Sequence, residues 1–431
     1  MSINRKRLGA LLCALAVTAL VAGTATASQS GTPGVSKKQI VIGGTFPLTG
    51  PAALYKTIPA AEQAYYAWVN KHSKVHGRSI KDIVLDDQYD PGQTPADVKK
   101  LVEKDHVMAV VGSLGTAPGL ATWDYLNKHK VPQVLLATGD AYWGDCVYKT
   151  HPFCSSVKPW TTGWQPDYPS EARLYAKYVL QHKPNAKIGI LYQNDSYGKN
   201  YLAGFKKGLG ASHQGMIVDA EAYNVTDSNQ LIAGHVVSIQ AHGADTFVIL
   251  ATPAASITSL ATEGAIHWSP LTILNNVSNN FVFMALAEQN GAQLNGVVTT
   301  VYVPSQLTQA NLPGMKLAKK IINASGNSDL KNSFKEGDGN IVYGLAVGWT
   351  FVDALKHAGA NPTRARLMHA LRHLNESGKN SNPFIYPGMV VKTSKSRTFP
   401  MEQLVLQKWA GQTGQAPGNW KTIGKVVNSG H

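Results

Sequence analysis

The sequence predicts an α/β protein made of two successive strand-and-helix series, each building a parallel sheet covered on both faces. Three observations predict it. Short runs rich in Ile and Val end at Gly or Pro; each is followed by a stretch with helical spacing of apolar residues; and this alternation halts at a pair of cysteines, then restarts. Near-continuous apolar strands joined by helices need cover on both faces, which is the property of parallel sheets.

The first series begins with "KQIVIGGTFPL" as a strand and "IPAAEQAYYAWVNKHS" as a helix, followed by the strand "SIKDIVLDDQYD". "TPADVKKLVEKD" then reads as a helix with Thr94 as N-cap, Pro95 at the first helical position and Asp97 in the first turn. "HVMAVVGSLG", "APGLATWDYLNKHK" and "PQVLLATG" are the third strand, third helix and fourth strand. The second series opens with "YPSEARLYAKYVLQHKP", a helix capped by Ser170. It continues through strand "AKIGILYQND", helix "YGKNYLAGFKKGLG", strand "GMIVDAEAYNV", helix "NQLIAGHVVSIQAHGA", strand "DTFVILATP", helix "ASITSLATEGAI" and strand "PLTILNN". From about Gly296 the chain adds strand "GVVTTVYVP", helices "GMKLAKKIINAS" and "NIVYGLAVGWTFVDALKHAG", a basic helix "TRARLMHALRHL" and a closing hairpin, "EQLVLQKWAGQTGQAPGNWKTIG".

The N-terminus carries Arg5, Lys6 and Arg7, an apolar run from Leu8 to Ala22, and Ala25-Thr26-Ala27 before Ser28. That order reads as a cleavable secretory signal over residues 1–27, since the apolar run falls short of the roughly 20 residues a membrane span needs. Cys13 follows Leu12 rather than a small residue, so no lipid anchor is expected. In an exported chain, Cys146 and Cys154 are expected to form one disulfide closing a short loop, with two free thiols as the alternative.

The formal charge of +14 includes the three basic residues of the leader. The lysines are scattered in doublets such as Lys99-Lys100 and Lys206-Lys207, with no basic block interleaved with aromatics, so nucleic acid is not an expected partner.

The segment "VVGSLGTAPG", Val110 to Gly119, runs from a strand through a glycine turn into a helix. In open parallel sheets ligands bind where strands end and helices begin, and the free N–H groups of a helix start suit an anion. Thr116 adds a hydroxyl. The loop has no acid, base or nucleophile, so it points to binding without chemistry.

Enzyme motifs are missing. No Walker Gly-Lys-Ser/Thr, no G-x-G-x-x-G and no G-x-S-x-G occurs, so neither a nucleotide cofactor nor a hydrolase elbow is expected. Ser155-Ser156-Val157-Lys158 matches S-x-x-K without its companion motifs, and His369 and His373 sit four apart without a glutamate between them, a pattern better read as a solvated basic face than as a zinc site. Asp86-Asp87 falls at a strand end, where neighbours point to opposite faces, so capping or a hinge is expected.

Taken in order, "IVIGGTFPLTGPAALYKTIPAAEQA", "DDQYDPGQTPADVKKLVEKDHVMAVVGSLGTAP", "VPQVLLATGDAYWGD" and "ILYQNDSYGKNYLAGFKKGL" resemble the type I periplasmic binding proteins, in particular the leucine/isoleucine/valine-binding group of ABC-transporter solute receptors. The resemblance covers almost all of the mature chain. It implies two Rossmann-like lobes joined by three crossovers: 37–160 with 296–397, and 161–295 with 398–427, hinged near 158–163. It also implies a monomeric periplasmic receptor that closes on a small solute and delivers it to a membrane permease and its ATPase, with no cofactor and no turnover. The same fold serves sensors that dock on a membrane kinase or chemoreceptor, and a secreted hydrolase is a third option.

By resemblance, Gly115 and Thr116 hold the ligand carboxylate, Ala137, Thr138 and Gly139 add backbone contacts, Tyr55 covers the ligand, and Tyr197 and Trp164 line the cleft. One departure stands out. Where amino-acid receptors place an acid against the ligand ammonium, this chain has "ILNNVSNN", with Val277 at about that position and with Asn275, Asn276 or a backbone carbonyl as alternative partners for an amine. A buried ammonium without a counter-charge costs several kcal/mol, so the solute is expected to be a carboxylate such as an aliphatic or aromatic acid, or an amide, alongside branched-chain amino acids.

Overall fold

Two sheets, each continued by helices at the carboxyl ends of its strands, organise the chain. The computed structural model describes residues 31–149, 152–411 and 418–429; the expected signal lies outside them. The first sheet takes β1 (Gln39–Phe46), β2 (Ser79–Asp86), β3 (Val110–Val111), β4 (Gln133–Leu136) and β5 (Thr161–Gly163) in the order β2-β1-β3-β4-β5, all parallel. Between them run α1 (Thr57–His72), α2 (Thr94–Lys99), α3 (Thr116–Lys128) and α4 (Tyr142–Asp145).

The second sheet begins after α5 (Tyr168–His182). It contains β6 (Ile188–Gln193), β7 (Ile217–Tyr223), β8 (Thr246–Leu250), β9 (Leu271–Leu274) and β10 (Val298–Val301), which alternate with α6 (Ser196–Leu209), α7 (Asn229–Ala241), α8 (Pro253–Ala265) and α9 (Phe281–Gln289). The chain then forms α10 (Pro313–Ala324), α11 (Ser328–Lys335), α12 (Gly339–His357) and α13 (Arg364–Leu371), with a small pair β11 (Asn375–Glu376) and β12 (Val391–Lys392). Finally β13 (Gln403–Ala410), β14 (Asn419–Thr422) and β15 (Val427–Asn428) add antiparallel strands to the second sheet, whose main order is β14-β13-β10-β9-β8-β6-β7. The chain therefore passes between the two sheets three times: after β5, after β10 and after β12.

The largest apolar cluster joins the first sheet to α1 and α12. α12 is buried on nearly every side, as a helix apolar all round must be. It lies so close to α1 that a Cβ on Gly344 would stand 2.5 Å from the Ile58 carbonyl oxygen. Two further clusters cover the faces of the second sheet. Among the described residues no helix is long and apolar enough to cross a membrane.

The parallel series and the closing antiparallel strands follow the sequence reading, with local differences. β10 pairs with β9, so the second sheet extends past the boundary expected at 296. α5 is capped by Asp167, whose side chain accepts from the Ser170 N–H at 2.8 Å, and Ser170 itself lies inside the helix. Thr94 is likewise the first residue of α2, because its hydroxyl is drawn back to the Asp90 carbonyl at 2.7 Å and Asp87 at 3.1 Å. α11, capped by Asn327, was not anticipated; its polar run "SDLKNSFK" buries only Leu330.

Cys146 and Cys154 are joined in a disulfide with Cα atoms 5.8 Å apart. Just beyond it, Lys158 pairs with Asp124 at 2.5 Å, donates to the Ser156 hydroxyl at 2.5 Å and lies over the Trp123 ring at 4.8 Å. The S-x-x-K stretch therefore ties this loop to α3.

Candidate functional site

Where the strands of both sheets end, their connecting turns enclose a cavity of about 760 Å³, counting its opening to solvent. The starts of α3, α6, α8 and α12 reach it through Thr116, Tyr197, Thr252 and Gly339. Convergent helix starts concentrate partial positive charge. Two of these ends are already answered: Asp195 caps α6 and Asp338 caps α12 with their carboxylates. The starts of α3 and α8 have no side-chain cap. At α3 the N–H groups of Thr116 and Ala117 have no intrahelical acceptor, and Pro118 has no N–H at all. That end suits a carboxylate.

The turn into α3 depends on Gly115, which has φ 113°, a conformation that L side chains rarely adopt. A Cβ there would also lie 2.7 Å from the Tyr89 ring. Behind the turn runs a chain of hydrogen bonds. Thr116 Oγ1 and Thr138 Oγ1 are 2.7 Å apart, and the Asp140 N–H donates to Thr138 Oγ1 at 3.1 Å. The Asp140 carboxylate accepts from the Tyr142 N–H at 3.0 Å and from the Ser196 hydroxyl of α6 at 2.5 Å, while the Ala141 N–H donates to Asn200 at 3.1 Å. Burial pushes the Asp140 carboxyl up to about 7 against the pull of these donors. The loop after β4 is thereby fastened to the second-sheet side.

The rest of the wall is neutral. Among the described residues that line the cavity there is no Lys, Arg, His, Asp or Glu. Six are tyrosines: Tyr55, Tyr89, Tyr168, Tyr197, Tyr302 and Tyr343. Burial raises every one of these phenols above the ordinary tyrosine range, so they stay protonated.

Of the residues singled out in the sequence, Tyr55, Gly115, Thr116, Ala137, Tyr197, Asn276 and Val277 line this one cavity. Thr138, Gly139 and Trp164 stand one layer behind. Thr138 orients Thr116; the Gly139 carbonyl accepts from the Tyr168 N–H at 2.7 Å; and Trp164 meets Tyr343 edge-on at 5.2 Å while its indole N–H donates to Thr350 at 3.0 Å. Asp87, buried at the end of β2, accepts from the Tyr89 N–H at 3.1 Å and so fixes a lining tyrosine. Asp86 accepts from the N–H groups of Leu48 at 3.0 Å and Thr49 at 3.2 Å, pinning the exit from β1. His373 Nδ1 lies 2.7 Å from the His369 carbonyl on an exposed helix end, away from the cavity lining.

Sequence reasoning missed Tyr89, Gln165, Tyr168, Thr252, Tyr302 and Tyr343. Gln165 and Tyr168 stand in the same "TTGWQPDY" stretch as Trp164, and Thr252 opens α8, so the strand-end rule could have found them. Tyr302 directly follows the carboxyl end of β10, so the same rule could have found it, whereas Tyr343 lies inside α12 and carries no local signal.

The family model described as periplasmic binding protein matches residues 39–412. The chain is 25% identical over 229 residues to the Leu/Ile/Val-binding protein homolog 3 of Brucella melitensis biotype 1, covering 52% of this chain and 58% of that one. It is 27% identical over 189 residues to the Leu/Ile/Val-binding protein BraC3 of Rhizobium johnstonii, covering 44% and 48%. These matches span about half the length of the curated relatives. Among solved structures, a branched-chain amino acid ABC transporter protein from Thermus thermophilus with bound valine superposes with TM-score 0.76 at 15% identity, covering 91% of this chain and 97% of that one. A fatty acid ABC transporter substrate-binding protein from Thermomonospora curvata gives 0.73 at 19% identity, covering 92% and 94%. At such identities the superpositions speak for the fold, a type I periplasmic binding protein arrangement of two parallel sheets. With its family model spanning both sheets, the chain belongs to the periplasmic binding protein family.

Proposed function

We propose that this protein is an extracytoplasmic, non-catalytic receptor that closes on a small carboxylate-bearing solute and delivers it to the permease and ATPase of an ABC importer. The observation that carries the reading is the uncapped start of α3, where the turn at Gly115 leaves the N–H groups of Thr116 and Ala117 without an intrahelical acceptor beside an otherwise neutral cavity. Among the structural neighbours, one is named with bound valine and one for a fatty acid, and both compounds join an aliphatic chain to a carboxylate. The two closing lobes are built on the two sheets, with boundaries moved from the expected 160 and 296 so that β5 (Thr161–Gly163) stays in the first and β10 (Val298–Val301) in the second. The leader and the Cys146–Cys154 bridge agree with export to an oxidising compartment.

The test is Thr116→Ala, assayed by calorimetry against leucine, 4-methylpentanoate and 2-hydroxy-4-methylpentanoate. Loss of about tenfold in affinity for whichever carboxylate binds supports the assignment. Unchanged affinity removes the α3 start from the site.

A further inference from the structure

The wall opposite α3 holds a carboxylate that faces away from the cavity. Glu171, on α5, is fully buried and receives four donors. Its Oε1 accepts from Tyr175 Oη at 2.6 Å and from the Asn276 N–H at 2.8 Å; its Oε2 accepts from Tyr201 Oη at 2.8 Å and from Asn276 Nδ2. An ionised carboxylate has about four acceptor positions, so none is left for a ligand. Burial pushes Glu171 up to about 7, while the donors around it favour its ionised form.

Asn276 stands between Glu171 and the cavity. Its orientation is set by its partner: a carboxylate only accepts, so the NH2 turns toward Glu171 and Oδ1 is the atom left over. Among the described residues Oδ1 has no hydrogen-bond partner, although it is buried and its residue lines the cavity. A second buried lining residue repeats the pattern with the opposite polarity. Gln165 Oε1 accepts from Tyr343 Oη at 3.2 Å, and Nε2 has no partner among the described residues. Two residues that line the cavity therefore each carry one orphaned polar atom buried in its wall, an acceptor on Asn276 and a donor on Gln165, both neutral, and leaving either unmade is costly.

An ammonium group fits this wall poorly. It brings three N–H donors and a whole charge, and Asn276 Oδ1 can answer one donor and none of the charge. A hydroxyl or an amide N–H brings a single donor and no charge. Resting on the carboxylate reading above, we infer that the preferred solute is a carboxylate bearing an uncharged hydrogen-bond donor, a hydroxyl or amide N–H, where an amino acid carries its ammonium.

The experiment compares three probes of one skeleton on the full mature protein by titration calorimetry: leucine, 4-methylpentanoate and 2-hydroxy-4-methylpentanoate, with the matching phenylalanine, 3-phenylpropanoate and 2-hydroxy-3-phenylpropanoate as a second series. The expected result is that the hydroxy acid of at least one series binds about tenfold or more tighter than both its companions. If the amino acid binds best, or the plain acid equals the hydroxy acid, the inference is overturned while the carboxylate reading stands. If no probe of either series binds, the carboxylate reading falls and the inference with it. Asn276→Ala, checked for folding by its melting curve, is expected to bring the hydroxy acid and the plain acid to equal affinity. A variant that keeps the tenfold preference removes Asn276 as the acceptor. The wild-type comparison needs no variant to be decisive.

Discussion

The phenolic hydroxyl of Tyr55 donates to the main-chain carbonyl of Val277 at 3.1 Å. Tyr55 lies in the short turn Ala53–Tyr55 that follows β1, and Val277 lies in the turn Asn276–Ser278 that follows β9, so this bond joins the two sheets across the mouth of the cavity. The ring is seated edge-on against Phe283 at 6.4 Å.

Tyr55→Phe keeps that ring packing and removes the bond. Ligand affinity should fall about threefold to tenfold, the worth of one net hydrogen bond of about 1 kcal/mol. Because the bond forms only in the joined state, the loss should appear in the dissociation rate. Stopped-flow tryptophan fluorescence with displacement of bound ligand measures it; a change confined to association would contradict the assignment.

The hydrogen bond from Ser196 to Asp140 is a second link between the connections of the two sheets. Asp140→Asn and Ser196→Ala should each speed ligand release, and the double variant should be little worse than either alone, because both remove one interaction. A double-mutant cycle on release rates tests this. Additive effects would mean that the two residues act separately.

Thr138 does not line the cavity, yet its hydroxyl holds both Thr116 and the Asp140 N–H. Thr138→Val, which preserves the branched shape, should weaken carboxylate binding by about fivefold to tenfold. Calorimetry on matched proteins decides, and wild-type affinity would show that Thr116 is oriented without it.

Glu263 tests the buried acids apart from the site. It accepts from the Thr272 hydroxyl at 2.8 Å, and burial pushes it from 4.5 up to about 8. The folded state therefore holds its proton more tightly than the unfolded chain does. Stability from this group is complete below pH about 4.5 and is lost as pH rises toward about 8. Glu376, also pushed up to about 8 by burial, acts in the same direction. The protein should melt higher at pH 5 than at pH 8, and Glu263→Gln should flatten that slope. Scanning calorimetry across this range checks it; an unchanged slope would mean that Glu263 is ionised in the fold.

How far the site could be read in advance depended on how local each signal was. Gly115 and Thr116 announce themselves, because a glycine turn between an apolar strand and a helix start is written in consecutive residues. Tyr55 and Tyr197 were legible only through the family resemblance, helped by their place in loops beside glycine or proline. Tyr343 was not, since α12 reaches the cavity only after the chain has passed from the second sheet back to α1; Tyr302, next to the end of β10, was within reach of the strand-end rule. Helix caps failed for a similar reason: Ser170 looks like a cap in isolation, but Asp167 three residues earlier is the stronger acceptor. Val277 was visible as a departure from the expected acid, whereas the bond between Asn276 and Glu171 joins residues 105 apart in sequence and needed the fold.

The turn at Gly115 also divides the cavity into a part that descent can rewrite and a part that it cannot. Any L side chain at that codon meets both an unfavourable backbone angle and the Tyr89 ring, so the turn into α3 admits few alternatives to glycine. Asn276 and Val277, on the facing wall, carry no such backbone restriction. A lineage built on this chain would change its diet there first, keeping one end of every nutrient constant while the other drifts.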